Sequence, residues 1–386
     1  MGHHGGSRRW VAWAGLVVVG GGVVVAAVNR PGEPVAAGPI VVSRSGCGNG
    51  WAAPRPGPQT LQVRNDSAVT LEVELIDPAT GAVYGELEGV GAGTTRAMPV
   101  NLADGAYAVR CAPDDGTPFV GPAVKVSGGA KRPGPAVVPV TNADLLEPLK
   151  KYHAYVTDGL ATLAAQTAQL ARAVHSGDRA SAQRAWLTAH LTYERLGAAY
   201  DAFGDADGEL NGTTAGLPGG AADPGFTGFH RLENGLWHNE DLAALEPVAT
   251  RIDAAVNQLR ADFADAQIDQ NDLPLRAHEI AENTLQFELT GRTDYGSHTT
   301  FATALANVTG TRAVLDVLRP LLASRFTGLP GLDAWLDRTE RDLRAAGSTA
   351  LTALDRTRRE KIDADVAELT ERLAPIAAIA EPRRVS

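Results

Sequence analysis

The apolar residues of this chain change period once, and that change dictates a two-part architecture. From Ile40 to about Val126 they come in short β-type runs separated by turn residues. The runs are Ile40–Val42, Thr60–Val63, Val69–Ile76, Ala82–Leu87, Arg96–Leu102, Ala106–Cys111 and Ala123–Val126. Turn chemistry stands between them at Asn65-Asp66-Ser67, at Asp77 to Gly81 and at Ala103-Asp104-Gly105. Seven such strands predict a β-sandwich over residues 40–127. A Gly/Pro-rich linker follows at 128–140, and beyond it the spacing turns to threes and fours. Leu145, Leu149, Tyr152, Val156, Leu160, Leu163 and Leu170 make one helical stripe, for which Asn142 or Asp144 is a candidate cap. Further helices are expected over 179–203, 242–265, 273–291, 297–325, 332–345 and 349–377, the 297–325 helix kinked before Pro320. Together they make an all-α bundle over 141–382, so the fold class is a multidomain β + α chain.

The N-terminus sets the compartment. Arg8 and Arg9 precede an uncharged run from Trp10 to Asn29, which Arg30 closes. At about 1.5 Å per residue a helix of this length spans roughly 30 Å, the hydrocarbon thickness of a bilayer. Residues 1–30 are therefore a cleaved signal peptide, with Val35-Ala36-Ala37 as the small-residue site, or an uncleaved membrane anchor. In either case the chain after the Pro-containing linker at 31–39 is exported, to the cell surface or a periplasm. A net charge of −10 argues against nucleic acid as a partner and suits cations. Only Cys47 and Cys111 occur, without a Cys-x-x-Cys pair. In an exported sandwich they are expected to form a disulfide, the alternative being two thiolate ligands for copper. A blue-copper centre needs two histidines beside its cysteine, and the sandwich has none, since no histidine lies between His4 and His153. Carboxylate binding through Glu72, Glu74, Glu86 or Glu88 is open, against the plainer reading of a solvated strand face.

The helical part holds three His/Glu pairs at helical spacing, His190/Glu194, His230/Glu233 and His278/Glu282. The last two share a Glu-Asn-x-Leu echo that hints at internal duplication. Such a pair on a helix is most often a surface ion pair. His230/Glu233 departs from that pattern because Phe226, Phe229, Leu232 and Trp237 surround it, and His190/Glu194 because Trp186, Tyr193 and Tyr200 do. An imidazole and a carboxylate on an apolar face are costly to bury unless they bind each other or a ligand. Oxygen and nitrogen donors suit iron, zinc, copper or manganese. Asp205 and Asp207, just after the second helix, could complete a site or simply fill a loop. Hydrolase chemistry finds no support: Asn234 follows Glu233 where an inverted zincin needs histidine, Glu282 stands where a zincin needs it, and no Gly-x-Ser-x-Gly occurs.

The runs Ala189–Gly197, Phe203–Asp207 and Gly225–Trp237, the last carrying Gly228-Phe229-His230-Arg231-Leu232-Glu233, resemble the imelysin family, and within it the EfeO-type iron-uptake components. The likeness covers about residues 40–380. It implies a cupredoxin-like sandwich ahead of an imelysin helical domain, and a role in capturing ferrous or ferric iron outside the cytoplasm, with zinc and copper as alternative metals. By position it implies His230 and Glu233 as the foremost ligands, followed by Glu194 and then Asp205 or Asp207. The implied partners are an iron permease and a dye-decolourising haem peroxidase, with the membrane reached through the N-terminal segment. Some members are classed as metallopeptidases, so a metal-dependent enzyme, peptidase or ferroxidase, is the rival expectation. The resemblance also implies acidic residues plus a cysteine binding copper or iron in the sandwich. Here Cys47 beside Cys111 departs from that pattern.

Overall fold

The computed structural model describes residues 38–51, 54–129, 134 and 136–383. The Trp10–Asn29 run lies outside these residues. Among them no helix is long and apolar enough to cross a membrane.

The first unit is a two-sheet sandwich. Its strands are β1 (Ile40–Val42), β2 (Cys47–Asn49), β3 (Gly57–Asn65), β4 (Leu71–Ile76), β5 (Val83–Val90), β6 (Thr95–Leu102), β7 (Gly105–Pro113), β8 (Phe119–Val120) and β9 (Val124–Val126). One sheet runs β2-β1-β3-β6 and the other β5-β4-β7-β8, with β9 paired to the start of β7. β1 lies parallel to β3 with Ile40 opposite Val63, and the other pairings are antiparallel. Period-2 burial sends Gln59, Leu61, Val63 and Asn65 of β3 inward, to meet Leu71, Val73 and Leu75 of β4 and Tyr107, Val109 and Cys111 of β7. The expected disulfide is present. Cys47 on β2 and Cys111 on β7 join the two sheets, 64 residues apart in sequence, a closure that contributes about 4 kcal/mol on the chain-entropy model. Strands β2 and β8 add to the seven expected, each too short to leave an apolar pattern.

The second unit is helical: α1 (Asn142–His175), α2 (Arg179–Glu194), α3 (Tyr200–Phe203), α4 (Asp205–Asn211), α5 (Gly228–Trp237), α6 (Leu242–Asp262), α7 (Asp272–Gln286), α8 (Thr300–Leu322), α9 (Leu329–Ala346) and α10 (Arg356–Ala380). Helix α1 packs along α2 and α6, and α10 along α7 and α9, with α8 touching both groups. The cap of α1 is Thr141, reciprocally bonded with Asp144 in a capping box, rather than Asn142 or Asp144 alone. The helix expected over 179–203 breaks after Glu194 into a 3-10 turn and α3. There α8 crosses so closely that a Cβ on Gly310 would stand 2.6 Å from the Arg195 carbonyl oxygen. The Gly-, Asp- and Pro-rich connection after Phe203 contains α4, and the last helix starts at Arg356, behind an Asp355 cap and seven residues after Thr349. Gly228, first residue of α5, has φ +73°, and a Cβ there would lie 2.2 Å from the Leu210 carbonyl oxygen. Only glycine lets α5 begin directly against the end of α4.

The two units meet through the linker and the C-terminus. Arg325 donates to the Val138 and Pro139 carbonyls at 3.0 Å each. Arg383 forks onto Glu86 of β5 at 3.2 and 2.9 Å, and its backbone N–H bonds to Val140 at 2.7 Å.

Candidate metal centre

Helices α2 and α5 turn their polar residues toward each other inside an otherwise apolar bundle. Trp186 fixes this relation: its indole N–H donates to the Phe229 carbonyl at 2.9 Å, and its ring stacks on His190 with centroids 4.7 Å apart. One turn beyond His190 lies Glu194, and across the interface stand His230 and Glu233 of α5. All four are at least 95% buried. The two imidazoles meet edge to face with centroids 5.5 Å apart. Three to four residues separate the members of each pair, so one helix face carries both.

The two carboxylates are held differently. Glu233 accepts from the Tyr295 and Ser297 backbone N–H groups, both at 3.0 Å on Oε1, which ties α5 to the loop between α7 and α8. Its Oε2 lies 3.5 Å from His230 Nδ1. Glu194 accepts from the Asn211 amide at 3.2 Å, and the Asn307 amide, turned with its nitrogen toward Glu194, donates at 2.9 Å. His190 Nε2 is 3.2 Å from Glu194 Oε1, but the contact is out of line for a hydrogen bond, and both His190 ring nitrogens are without hydrogen-bond partners. His190 thus meets Glu194 as an ion pair without an aligned hydrogen bond, one of several buried polar groups here that lack one. Burial works against its imidazolium, yet Glu194, Glu233 and Glu288 outweigh that and hold its pKa above the ordinary histidine value. Burial would likewise raise Glu194, but the His190 contact prevails and lowers it.

Beside these four groups opens a cavity of about 300 Å³. Glu194, His230 and Glu288 line it together with Tyr200, Asn211 and Asn307. Glu288 sits on the 3-10 turn Glu288–Thr290 after α7, where its carboxylate accepts from the Thr293 hydroxyl at 2.6 Å. Burial, with the Glu194 charge next, pushes its pKa up to about 8. Glu233 and His190 line a smaller chamber behind, of about 10 Å³, into which Glu288 also faces. Asp207 lies outside both spaces: it accepts from the Tyr193 hydroxyl at 2.5 Å, and burial raises its pKa. Asp205 is exposed at the start of α4. The structure thus brings Glu194, His230 and Glu233 together, adds His190 and Glu288, and leaves Asp205 and Asp207 at the rim of the fold around them. His278 is half-buried, bonded to the Thr370 carbonyl and 3.8 Å from Glu282, as an ordinary ion pair would be.

Two imidazoles and three carboxylates form a hard-to-borderline donor set, with no thiolate in reach. Around the helical cavity the donors stand apart. Among the described residues, the only trio of such donors whose atoms all lie within 4.8 Å of one another is Glu72, Glu74 and Glu86 in the sandwich. Glu74 departs from the solvated face that alternation predicts. It is buried and paired with a buried Arg110, while Arg383 neutralises Glu86. Glu72 is pushed up to about 7 by burial, then by Glu74 and Glu86. Cys111 next to this trio is in the disulfide and offers no thiolate.

The model of the imelysin family, which also carries a peptidase name, matches residues 148–383. Among curated proteins, the iron uptake system component EfeO of Yersinia pestis is 30% identical over 260 residues, 67% of either chain. The protein of that name from Escherichia coli strain K12 is 27% identical over 264 residues, 67% of this chain and 68% of that one. Its counterpart in Shigella flexneri shows the same identity and coverage. With the match spanning all but the first residues of the helical unit and the motif residues gathered at its centre, this chain belongs to the imelysin family.

Proposed function

We propose that this protein is the extracytoplasmic iron-binding component of an iron-uptake system. It captures iron through Glu194, His230 and Glu288 around the helical cavity, with Glu233 and His190 behind them, and passes it to a membrane permease. The dye-decolourising haem peroxidase of the same system is its second partner, and the N-terminal segment either directs export or holds the chain at the membrane. One observation carries the reading: five imidazole and carboxylate side chains gather around a cavity at the centre of the helical unit. The EfeO names of the relatives agree with it. The role is binding rather than turnover. The wide spacing of the donors leaves room for cargo to enter and leave, and water or a shift of Glu288 would complete the metal's coordination.

Binding should release protons. Glu288, with its pKa near 8, carries a proton at neutral pH and must lose it to face a cation. The raised His190 pKa acts in the same direction. Affinity for ferrous iron should therefore climb with pH from the ordinary carboxylate range to about 8, by roughly tenfold per unit for one proton, and flatten above. Calorimetric titration of the full chain with ferrous iron, in two buffers of different ionisation heat, counts the protons. About one released per iron at pH 7 supports the reading, and none, with no loss on Glu288→Gln, contradicts it.

A further inference from the structure

The small chamber, here a neck, stands between two larger spaces and shares lining residues with each. On one side it shares Glu288 and Thr293 with the main cavity. On the other it shares Asp294 and Thr300 with a surface basin of about 490 Å³ on the far side of the Glu233-binding loop. Hydroxyls of Ser297, Thr299 and Thr303 complete the neck, and its volume is that of about one water molecule. A chamber lined by hydroxyls and carboxylates inside a Leu-rich bundle is costly unless something polar uses it.

The basin carries two imidazoles and a carboxylate whose donor atoms do not all lie within 4.8 Å of one another. His238 and His298 are both exposed and line it. His238 Nδ1 is 2.8 Å from the Asn234 carbonyl oxygen. A carbonyl only accepts, so Nδ1 carries the proton and Nε2 keeps its lone pair free for a metal. His298 has φ +58°, uncommon for a residue with a side chain, and its Nδ1 lies 3.9 Å from Asp294 Oδ2. Asp294 holds this shape by accepting from the Gly296 and His298 N–H groups and the Thr300 hydroxyl, and it faces both basin and neck.

We propose that the cavity has two openings, and that a divalent cation leaves it through the neck to dock on His238, His298 and Asp294 before hand-over. This rests on the proposed iron-binding role. Its logic is that of a carrier: loading and unloading at different faces lets the protein stay charged until a receiver covers the exit.

The test is kinetic. The full chain is loaded with ferrous iron under nitrogen and mixed with an excess of a chromogenic ferrous chelator. The variants are His238→Ala with His298→Ala, which strips the basin, and Thr303→Val, which makes one wall of the neck apolar. Both should retain the iron stoichiometry of the parent and release it slower by roughly tenfold, since such changes act on the dissociation rate. Unchanged release in either variant, with stoichiometry retained, overturns the second opening while leaving the iron-binding role standing. No iron bound by the parent chain refutes that role and this inference together.

Discussion

Replacing His230 by alanine together with Glu194 by glutamine is expected to weaken iron binding by at least about 100-fold. Even outer-shell partners of metal ligands are worth roughly 10- to 100-fold, and these two residues face the cavity itself. The pair is chosen because the fold should tolerate its loss. Glu194→Gln preserves the shape and an acceptor oxygen for Asn211, and His230 makes no hydrogen bond to a distant element beyond its contact with Glu233. Calorimetry with ferrous iron reads the affinity, and circular dichroism confirms the helices. Wild-type affinity in this variant would remove the cavity from any account of metal capture.

Glu233→Ala should behave quite differently, as a folding lesion as much as a binding one. Its Oε1 is the acceptor for two backbone N–H groups of the 291–299 loop, and the residue is 1% exposed. Removing it leaves both donors without a partner, at about 1–3 kcal/mol each. A loss of about 4 kcal/mol, read as a lowered midpoint of the helical unit in denaturant, is the expected result. Glu233→Gln keeps an oxygen in the same place and should recover most of that stability. If alanine and glutamine proved equally mild, Glu233 would not be the anchor of the loop. The residue foremost in the His-x-x-Glu motif therefore has a positioning role whatever it does to a metal. It sets the loop that carries Thr293 and Asp294, and through Thr293 the seat of Glu288.

Much of this was legible because it is periodic. The switch from short β-runs to threes and fours located both units, and the spacing of His190/Glu194 and His230/Glu233 placed each pair on one helix face. The apolar neighbours of those pairs, Trp186, Tyr193, Phe229 and Leu232, marked them as interior, and all are buried. What escaped depends on contacts between segments far apart in sequence. Glu288 has no histidine at helical spacing and sits on a 3-10 turn just past α7, so no His/Glu pair marks it. Asn211 and Asn307 reach Glu194 from α4 and α8, helices joined to α2 only through tertiary packing. The break after Glu194 is invisible in a stripe that continues through Leu196 and Tyr200, because the close approach of Gly310 imposes it. Asp207 illustrates the converse. Its position beside the motif drew attention to it, and the fold turns it to Tyr193 instead of the cavity. The buried Glu74–Arg110 pair makes the same point for the sandwich, where alternation signals a solvated face and the neighbouring strand β7 sets Arg110 opposite Glu74.

Two carboxylate-rich places therefore compete for metal in this chain, the helical cavity and the Glu72/Glu74/Glu86 trio. The trio is the tighter cluster, but Arg110 and Arg383 already hold two of its members. The cavity is wider, and among its lining groups are the His230 imidazole and the Glu194 and Glu288 carboxylates, none of them paired with an arginine. Anomalous X-ray scattering at the iron edge, from crystals of the full chain loaded with iron, decides between them directly. The expected result is an iron peak inside the helical cavity, among Glu194, His230 and Glu288. A peak confined to the sandwich trio, with the helical cavity free of iron, would contradict it.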